Sequence, residues 1–162
     1  MGDFLERTKG IIEAADSSAT YNLDSWNEHN FTISTSCIYD VVKSLKENGF
    51  QYLVDITGAH YPDTESEYQI VYHIHNLTEN LRIRLKVNLD SKNLEVPSMV
   101  SLYDGANWME RETFDFYGIS FTNHPNLTRI LNVDDMDYHP MRKEYKLEDE
   151  TRTDKSDKYF GR

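Results

Sequence analysis

The sequence predicts an α+β domain: an antiparallel or mixed sheet of three to four strands, helices packed on one of its faces, and an extended C-terminal tail. Three observations carry that prediction. Ile38, Val41, Val42 and Leu45 recur at i, i+3, i+4 and i+7, the spacing of an amphipathic helix. Tyr68, Ile70, Tyr72 and Ile74 alternate with other residues, as do Leu81, Ile83, Leu85 and Val87, and a polar link joins the two runs, which is the pattern of an antiparallel hairpin. After Leu131 the periodicity stops and charged residues accumulate. The order of elements is helix, strand, helix, strands, helix, tail, which suits one sheet covered by helices.

Taken in order, residues 3–18 form a first helix on a loose stripe of Phe4, Leu5, Ile11, Ile12 and Ala15, interrupted by Gly10. Thr20 to Asn30 is polar and reads as loop, with Trp26 as a packing anchor. Phe31 to Ile33 is a short strand. Ser34, Thr35 or Ser36 caps the next helix, which places Cys37 in its first turn, and Asn48-Gly49 ends it. Phe50, Tyr52, Val54 and Ile56 alternate on one side of a strand, and Gly58 to Asp63 is turn material. The hairpin follows, with His73 and His75 on the face away from the core and Arg82, Arg84 and Lys86 outward. Leu94 to Val96 is a further short strand that Pro97 ends. Ser101 and Asp104 have capping-box spacing, and Gly105 separates that turn from the next helix.

The helix from Trp108 to Tyr117 is the stretch on which the chain is organised. It has no internal proline, and Gly118 stands where a left-handed C-cap is wanted. At about 100° per residue, Met109, Thr113, Phe114, Phe116 and Tyr117 share one arc, and Glu110 falls among them. A carboxylate there needs a partner or a raised pKa. Trp108, Arg111, Glu112 and Asp115 share the opposite arc, with Arg111 and Asp115 spaced to pair at i, i+4. A tryptophan among charges is a composition typical of a contact surface.

Composition narrows the function. The 162 residues suit one domain with a tail. With 28 acids against 17 bases the net charge is -11, which excludes a nucleic-acid binder and direct docking on anionic lipid. No apolar run approaches about 18 residues, so nothing spans a bilayer. The acids at Asp3 and Glu6 stand where a signal peptide needs bases. Cys37 is the single cysteine, too few for an iron–sulfur cluster of the four-Cys kind.

Three sets of residues bear on chemistry. His73 and His75 point the same way, and His60, Asp55 or Asp63 would complete a metal site. A polar sheet face accounts for them more simply, since no further ligand pattern accompanies them. Glu110, Glu112 and Asp115 suit acid–base work only if one is desolvated, and no nucleophile or cofactor fingerprint accompanies them. His124, held extended by Pro125, is a proton carrier or a hydrogen-bonded fastener, the second favoured because nothing nearby reads as a substrate pocket. Arg129, Arg142 and Lys143 are bases that salt-bridge the acidic helix or reach an acidic partner.

The string Glu110-Arg111-Glu112, Asp115-Phe116-Tyr117-Gly118-Ile119, Phe121, His124-Pro125, Leu127 and Ile130-Leu131 resembles a family signature, that of the 30 kDa subunit family of respiratory complex I. This is the C-type subunit of the proton-pumping NADH:quinone oxidoreductase. The likeness runs from about Phe31 to Tyr145 and is sharp from Ser98 to Leu131. Pro140-Met141-Arg142-Lys143-Glu144 resembles a later element of the same family. Asn123, Thr128 and His139 depart from it, standing where Gly, Arg and Gly are common; Asn tolerates left-handed backbone, so the turn before His124 survives.

The chain divides into an N-terminal peripheral helix and loop over 1–30, a domain like that of the family over 31–131, and a charged tail over 132–162 that partners order. The resemblance implies a cofactor-free member of the peripheral arm, packed on subunits of the D, B and I types at the cytoplasmic side of the inner (cell) membrane. NAD, FMN, iron–sulfur clusters and quinone would sit on other subunits, and the isolated chain would have no activity. The family motif and interface residues carried over are Trp108, Glu110, Arg111, Glu112, Asp115, Gly118, His124, Pro125, Arg129, Pro140, Arg142 and Lys143. On this reading the helix turns Glu110 to the core and presents Arg111, Glu112 and Asp115 to a neighbour. The alternatives are the equivalent subunit of a related ferredoxin-dependent or membrane-bound hydrogenase complex, and a stand-alone acid–base enzyme using Glu110, Glu112 and His124.

Overall fold

The computed structural model describes residues 2–145. Helix α1 (Gly2–Ala15) leads into a hairpin of β1 (Thr20–Leu23) and β2 (His29–Thr32), then α2 (Ile38–Glu47). Strands β3 (Tyr52–His60), β4 (Tyr68–Asn76) and β5 (Leu81–Leu89) form a meander. A short β6 (Glu95–Pro97), helix α3 (Ala106–Tyr117) and β7 (Ser120–Thr122) follow. The main sheet has five strands in the order β1-β2-β5-β4-β3, antiparallel except for the parallel pair β2–β5. Strands β6 and β7 pair in parallel as a separate two-stranded sheet.

The amphipathic patterns decide the core. Every residue predicted for the buried stripe of α2 is 0% exposed, as are Ile70, Tyr72, Ile74, Ile83, Leu85 and Val87 on one face of the sheet. Ile12 of α1 joins the same cluster. Helix α3 lies on that face too: the Tyr117 ring would be struck by any Cβ at Gly58, 2.6 Å from the nearest ring atom. The opposite face carries Gln69, His73, Arg82, Arg84 and Lys86 and is half-buried to exposed.

The prediction of three to four strands is therefore corrected to five in one sheet and two in another. The segment read as loop, Thr20 to Asn30, is mostly a hairpin. All four residues of β1 are exposed, so no alternation of burial was imposed on its sequence, and pairing through the backbone alone makes it a strand. Trp26 at the hairpin tip is 86% exposed rather than a packing anchor. In β3 a register shift between Leu53 and Asp55 breaks the alternation, leaving Tyr52 and Val54 exposed. That strand then runs on through Gly58 to His60, and the turn begins only at Tyr61.

The predicted side-chain caps at the N-termini of α2 and α3 fail to form. Neither Cys37, the N-cap of α2, nor Gly105, the N-cap of α3, makes a side-chain cap bond. Ser34 is diverted instead. Its amide and hydroxyl both donate to Asp16 Oδ2, at 2.8 and 2.7 Å, while Ser18 donates twice to Oδ1. Burial opposes ionisation of Asp16, but these four bonds outweigh it and bring the carboxyl down to about 2. The end of α1 is thereby tied to the β2–α2 junction. Among the described residues no helix is long and apolar enough to cross a membrane.

Gly58→Ala is expected to lower stability by about 1–3 kcal/mol, because Tyr117 must shift. Gly10→Ala, with nothing within 4 Å of the added Cβ, is expected to raise it by up to about 1 kcal/mol through helix propensity. Urea unfolding of the two variants should give opposite signs.

Candidate functional site

Helix α3 ends at Gly118, whose φ of 73° is the left-handed conformation that the sequence predicts. Its Cβ-free side lets the chain return close by: an added Cβ would meet Arg142 and His139, the latter at 2.6 Å. What returns is the segment 129–145, without regular secondary structure, and it serves as the cap of the helix. His139 Nδ1 donates to the carbonyl of Asp115 at 3.0 Å, the Met141 amide to Phe116 at 3.1 Å, and Arg142 Nε to Tyr117 at 2.8 Å. These are the carbonyls an α-helix leaves without partners, and the Arg142 cation complements the negative helix end. The Lys143 amide then donates to His60 Nδ1 at 2.9 Å, tying the segment to β3.

Asp115 holds this return in place. Its Oδ2 accepts the amides of Ile130, Leu131 and Asn132 at 3.1, 2.8 and 2.9 Å, and Oδ1 accepts Arg129 at 2.7 Å. Arg129 spends its other nitrogen on the carbonyls of Met136 and Tyr138. Burial would raise the Asp115 pKa, but the amides of Asn132 and Leu131 and the Arg129 guanidinium win, holding the carboxyl well below the usual range. The expectation that Asp115 faces a neighbour is therefore corrected: its side chain is 0% exposed. Its partner is Arg129, not Arg111. Arg111 is also engaged within the chain, donating to the carbonyls of Thr128 and Arg129 at 3.1 and 2.9 Å.

Glu110 sits on the core side, as its place in the apolar arc predicts, at 0% exposure. Oε2 accepts the Ser98 hydroxyl and Oε1 the Met99 amide, both at 2.6 Å. Burial dominates these two bonds and raises the carboxyl to about 7. His124 packs beside it, Nε2 4.0 Å from Oε2. The Asn126 amide donates to His124 Nδ1 at 3.0 Å, so the proton sits on Nε2 and is given to the Asn107 carbonyl at 3.2 Å. Both ring nitrogens are thus engaged with backbone, the geometry of a hydrogen-bonded fastener. Asn123, before it, takes a φ of 64°, the left-handed turn Asn tolerates.

The remaining predicted residues divide in two. Trp108, 59% exposed, and Glu112 stay outward. Glu112 lines a cleft of about 260 Å³ with Asp55, Ile56, Thr57, Phe116, Tyr117 and Met141. Since Glu110 and His124 have no side-chain exposure, the structure does not bring them together with Glu112 in one open pocket. The Nε2 of His73 is taken up, accepting Arg84 Nε at 2.8 Å. Among the described residues no group of three or more His, Cys, Asp and Glu side chains could hold a metal ion. Ser98, which donates to the Glu110 carboxylate, and His139, which caps the Asp115 carbonyl, were not foreseen; a buried acid or a helix end announces that it needs donors without saying which segment supplies them. Of the predicted tail, residues 146–162 lie outside the described residues.

The chain resembles proteins of known kind. A family model described as the respiratory-chain NADH dehydrogenase 30 kDa subunit matches residues 31–151. The C-type subunit of NADH-quinone oxidoreductase from Xanthobacter autotrophicus is 39% identical over 149 residues, covering 90% of this chain and 71% of that protein. Its counterpart in Citrifermentans bemidjiense is 33% identical, covering 88% and 91%. That of Phenylobacterium zucineum is 46% identical, covering 62% of this chain and 48% of its own length, so the chain spans about half of some relatives and most of others. A trypsin-resistant fragment of Nqo5 has the same fold, with a TM-score of 0.69 at 23% identity over 76% of this chain and 98% of the fragment. A chain of the membrane-bound sulfane sulfur reductase, an archaeal respiratory membrane complex, gives 0.75 at 25% identity over 90% and 86%.

The two carboxylates predict opposite responses to pH. Glu110 has its folded pKa above the unfolded one, so its contribution is complete below pH 4.5 and is lost as pH rises through about 7. The gap corresponds to on the order of 3 kcal/mol. Glu110→Gln mimics the protonated acid and should flatten the stability profile between pH 5 and 8, measured by urea unfolding. Asp115 has its folded pKa depressed, so its stabilisation is present above the ordinary carboxylate pKa and is lost as pH falls below it. Asp115→Ala is expected to cost about 3–5 kcal/mol at pH 7, since it strands Arg129 and three amides, with the deficit shrinking in acid.

Proposed function

The chain belongs to the family of the respiratory-chain NADH dehydrogenase 30 kDa subunit, and from that premise we propose that it is a cofactor-free structural subunit of the peripheral arm of an NADH:quinone oxidoreductase. In this role it supports electron transfer from NADH to quinone, coupled to proton translocation, without carrying electrons. The observation that supports this best is where the motif carboxylates spend themselves. Glu110 and Asp115 together accept six hydrogen bonds from Ser98, Met99, Arg129, Ile130, Leu131 and Asn132. They build a shape; they do not face a substrate.

Among the side chains that shape leaves outward are several apolar ones. Trp108, Leu131, Val133, Met141 and Tyr138 are exposed by between 38% and 66%, and all lie on α3 or on the segment that returns over it. Such surface marks a protein interface. Its neighbours would be the D, B and I types of subunit, which would hold the clusters and the quinone site, while NAD and FMN bind elsewhere in the arm. The chain would sit at the cytoplasmic side of the membrane, bound through those neighbours.

A second reading is favoured by the likeness to the sulfane sulfur reductase chain: the equivalent subunit of a related ferredoxin-dependent or membrane-bound hydrogenase complex. The donor accepted by the purified complex separates the two, NADH in the first case and reduced ferredoxin in the second.

Trp108→Ser is expected to leave the thermal midpoint of the isolated chain within about 2 °C, as for an exposed site. It should reduce several-fold the amount of chain that co-purifies with the complex. The wild-type chain, inert by itself, should restore NADH:quinone reductase activity when added to complex that lacks it. Unchanged co-purification of the variant, or turnover by the isolated chain, would count against the proposal.

A further inference from the structure

The two edges of the main sheet are treated differently. At β3 the register shift between Leu53 and Asp55 disrupts one end of the edge strand, and the Lys143 amide is bonded to His60 at the other. Either device discourages a further strand. Strand β1 has neither. Its sequence, Thr20-Tyr21-Asn22-Leu23, contains no lysine, proline or bulge, and all four residues are exposed.

The apolar face of the sheet also runs out to this edge unfinished. In the register of the sheet Leu85, Phe31 and Tyr21 stand in one row, and Ile83, His29 and Leu23 in the next. Exposure along the first row climbs from 0% at Leu85 through 2% at Phe31 to 38% at Tyr21, and Leu23 reaches 46%. The Tyr21 ring packs 5.1 Å from that of Phe31, with the Lys9 ammonium 4.0 Å above it. The apolar face is thus left partly uncovered at this edge.

The hairpin tip is braced. The Asp24 carboxylate accepts the amides of Trp26 and Glu28 at 3.0 and 2.9 Å and the side chain of Asn30 at 3.2 Å, and Asn27 takes a φ of 62°. Trp26 is thus held out on a preorganised turn, which lowers the entropy lost when such a side chain is captured. The family model begins at residue 31, so β1 and the tip lie outside the part of the chain that model describes.

We propose that the free edge of β1 receives an extended segment of a neighbouring subunit as an additional strand, its alternate apolar side chains covering Tyr21 and Leu23 and its surroundings receiving Trp26. This rests on the reading of the chain as a subunit of a larger complex. A second copy of the chain is the poorer occupant. One four-residue edge and three side chains cover roughly a few hundred Å², well short of the about 1,000 Å² of a lasting interface, and two chains of net charge -11 repel. Inside an assembly other contacts supply the affinity, and the edge has only to match.

Hydrogen–deuterium exchange of the isolated chain and of the same chain within the purified complex tests this. The Asp24 amide already bonds the Glu28 carbonyl, so by alternation the amides of Tyr21 and Leu23 face the free edge, and these two are expected to exchange at least ten-fold more slowly in the complex. A combined Tyr21→Ser, Leu23→Ser and Trp26→Ser variant, which keeps the Asp24 turn, should lose that protection. Equal exchange in both states overturns the inference while leaving the proposed function standing. Protection already present in the isolated chain, with a doubled mass in solution, overturns it in favour of self-pairing. A chain that does not enter the complex at all overturns the proposed function and this inference with it.

Discussion

One carboxylate determines whether the end of the described chain, residues 129–145, has a place to go. Asp115 is sealed from solvent and accepts three consecutive amides and an arginine. Those amides belong to Ile130, Leu131 and Asn132, which form no helix or strand and have no ladder to satisfy them. A buried amide without a partner is costly, and an anion is the strongest acceptor a side chain can offer it. The return of the chain then supplies the donors that the end of α3 lacks. Helix and return segment are each incomplete without the other.

Glu110 performs the same service one turn earlier but in the opposite electrostatic regime. It binds Ser98 and Met99, just beyond β6, to α3. Thr122 of β7, the strand that pairs with β6, accepts the Ser98 amide at 3.0 Å, so the small sheet and the helix form one unit. Here two hydrogen bonds do not overcome burial, and the acid is held near neutrality rather than depressed. The contrast with Asp115 follows from donor count: four bonds, one from a cation, against two from neutral groups. His124 completes this side by fastening the following turn to Asn107.

The consequence for function is that chemistry-bearing residue types are consumed in making a surface. Arg111 and Arg129 hold carbonyls, His60 and His139 hold backbone, and His73 accepts Arg84. What remains outward on α3 and its return segment includes Trp108, Leu131, Val133, Tyr138 and Met141, beside charged residues such as Glu112. At the far edge of the main sheet a braced hairpin exposes a tryptophan beside an unprotected strand. A chain shaped in this way suits membership of a respiratory assembly better than solitary turnover.

Much of this was legible in the residues alone. Period 3.6 in Ile38 to Leu45 and period 2 in Tyr68 to Val87 specify burial directly, because only one face of each element can be dry. Gly118 announced its left-handed cap, Glu110 its need for partners, and the motif around them its family. Strand β1 was not legible, since this edge strand buries no side-chain face and leaves no period. Nor was the inward turn of Asp115: a helical wheel shows which residues share an arc, not that an irregular segment of the same chain will cover it. Ser34 likewise offered a cap by local rules and was claimed by Asp16, eighteen residues away. Local periodicity and backbone stereochemistry thus determined the elements and the inner face of the sheet. Which polar groups met across long sequence separations was decided only by the packed structure, because a hydrogen bond between distant segments leaves no spacing in the sequence to read.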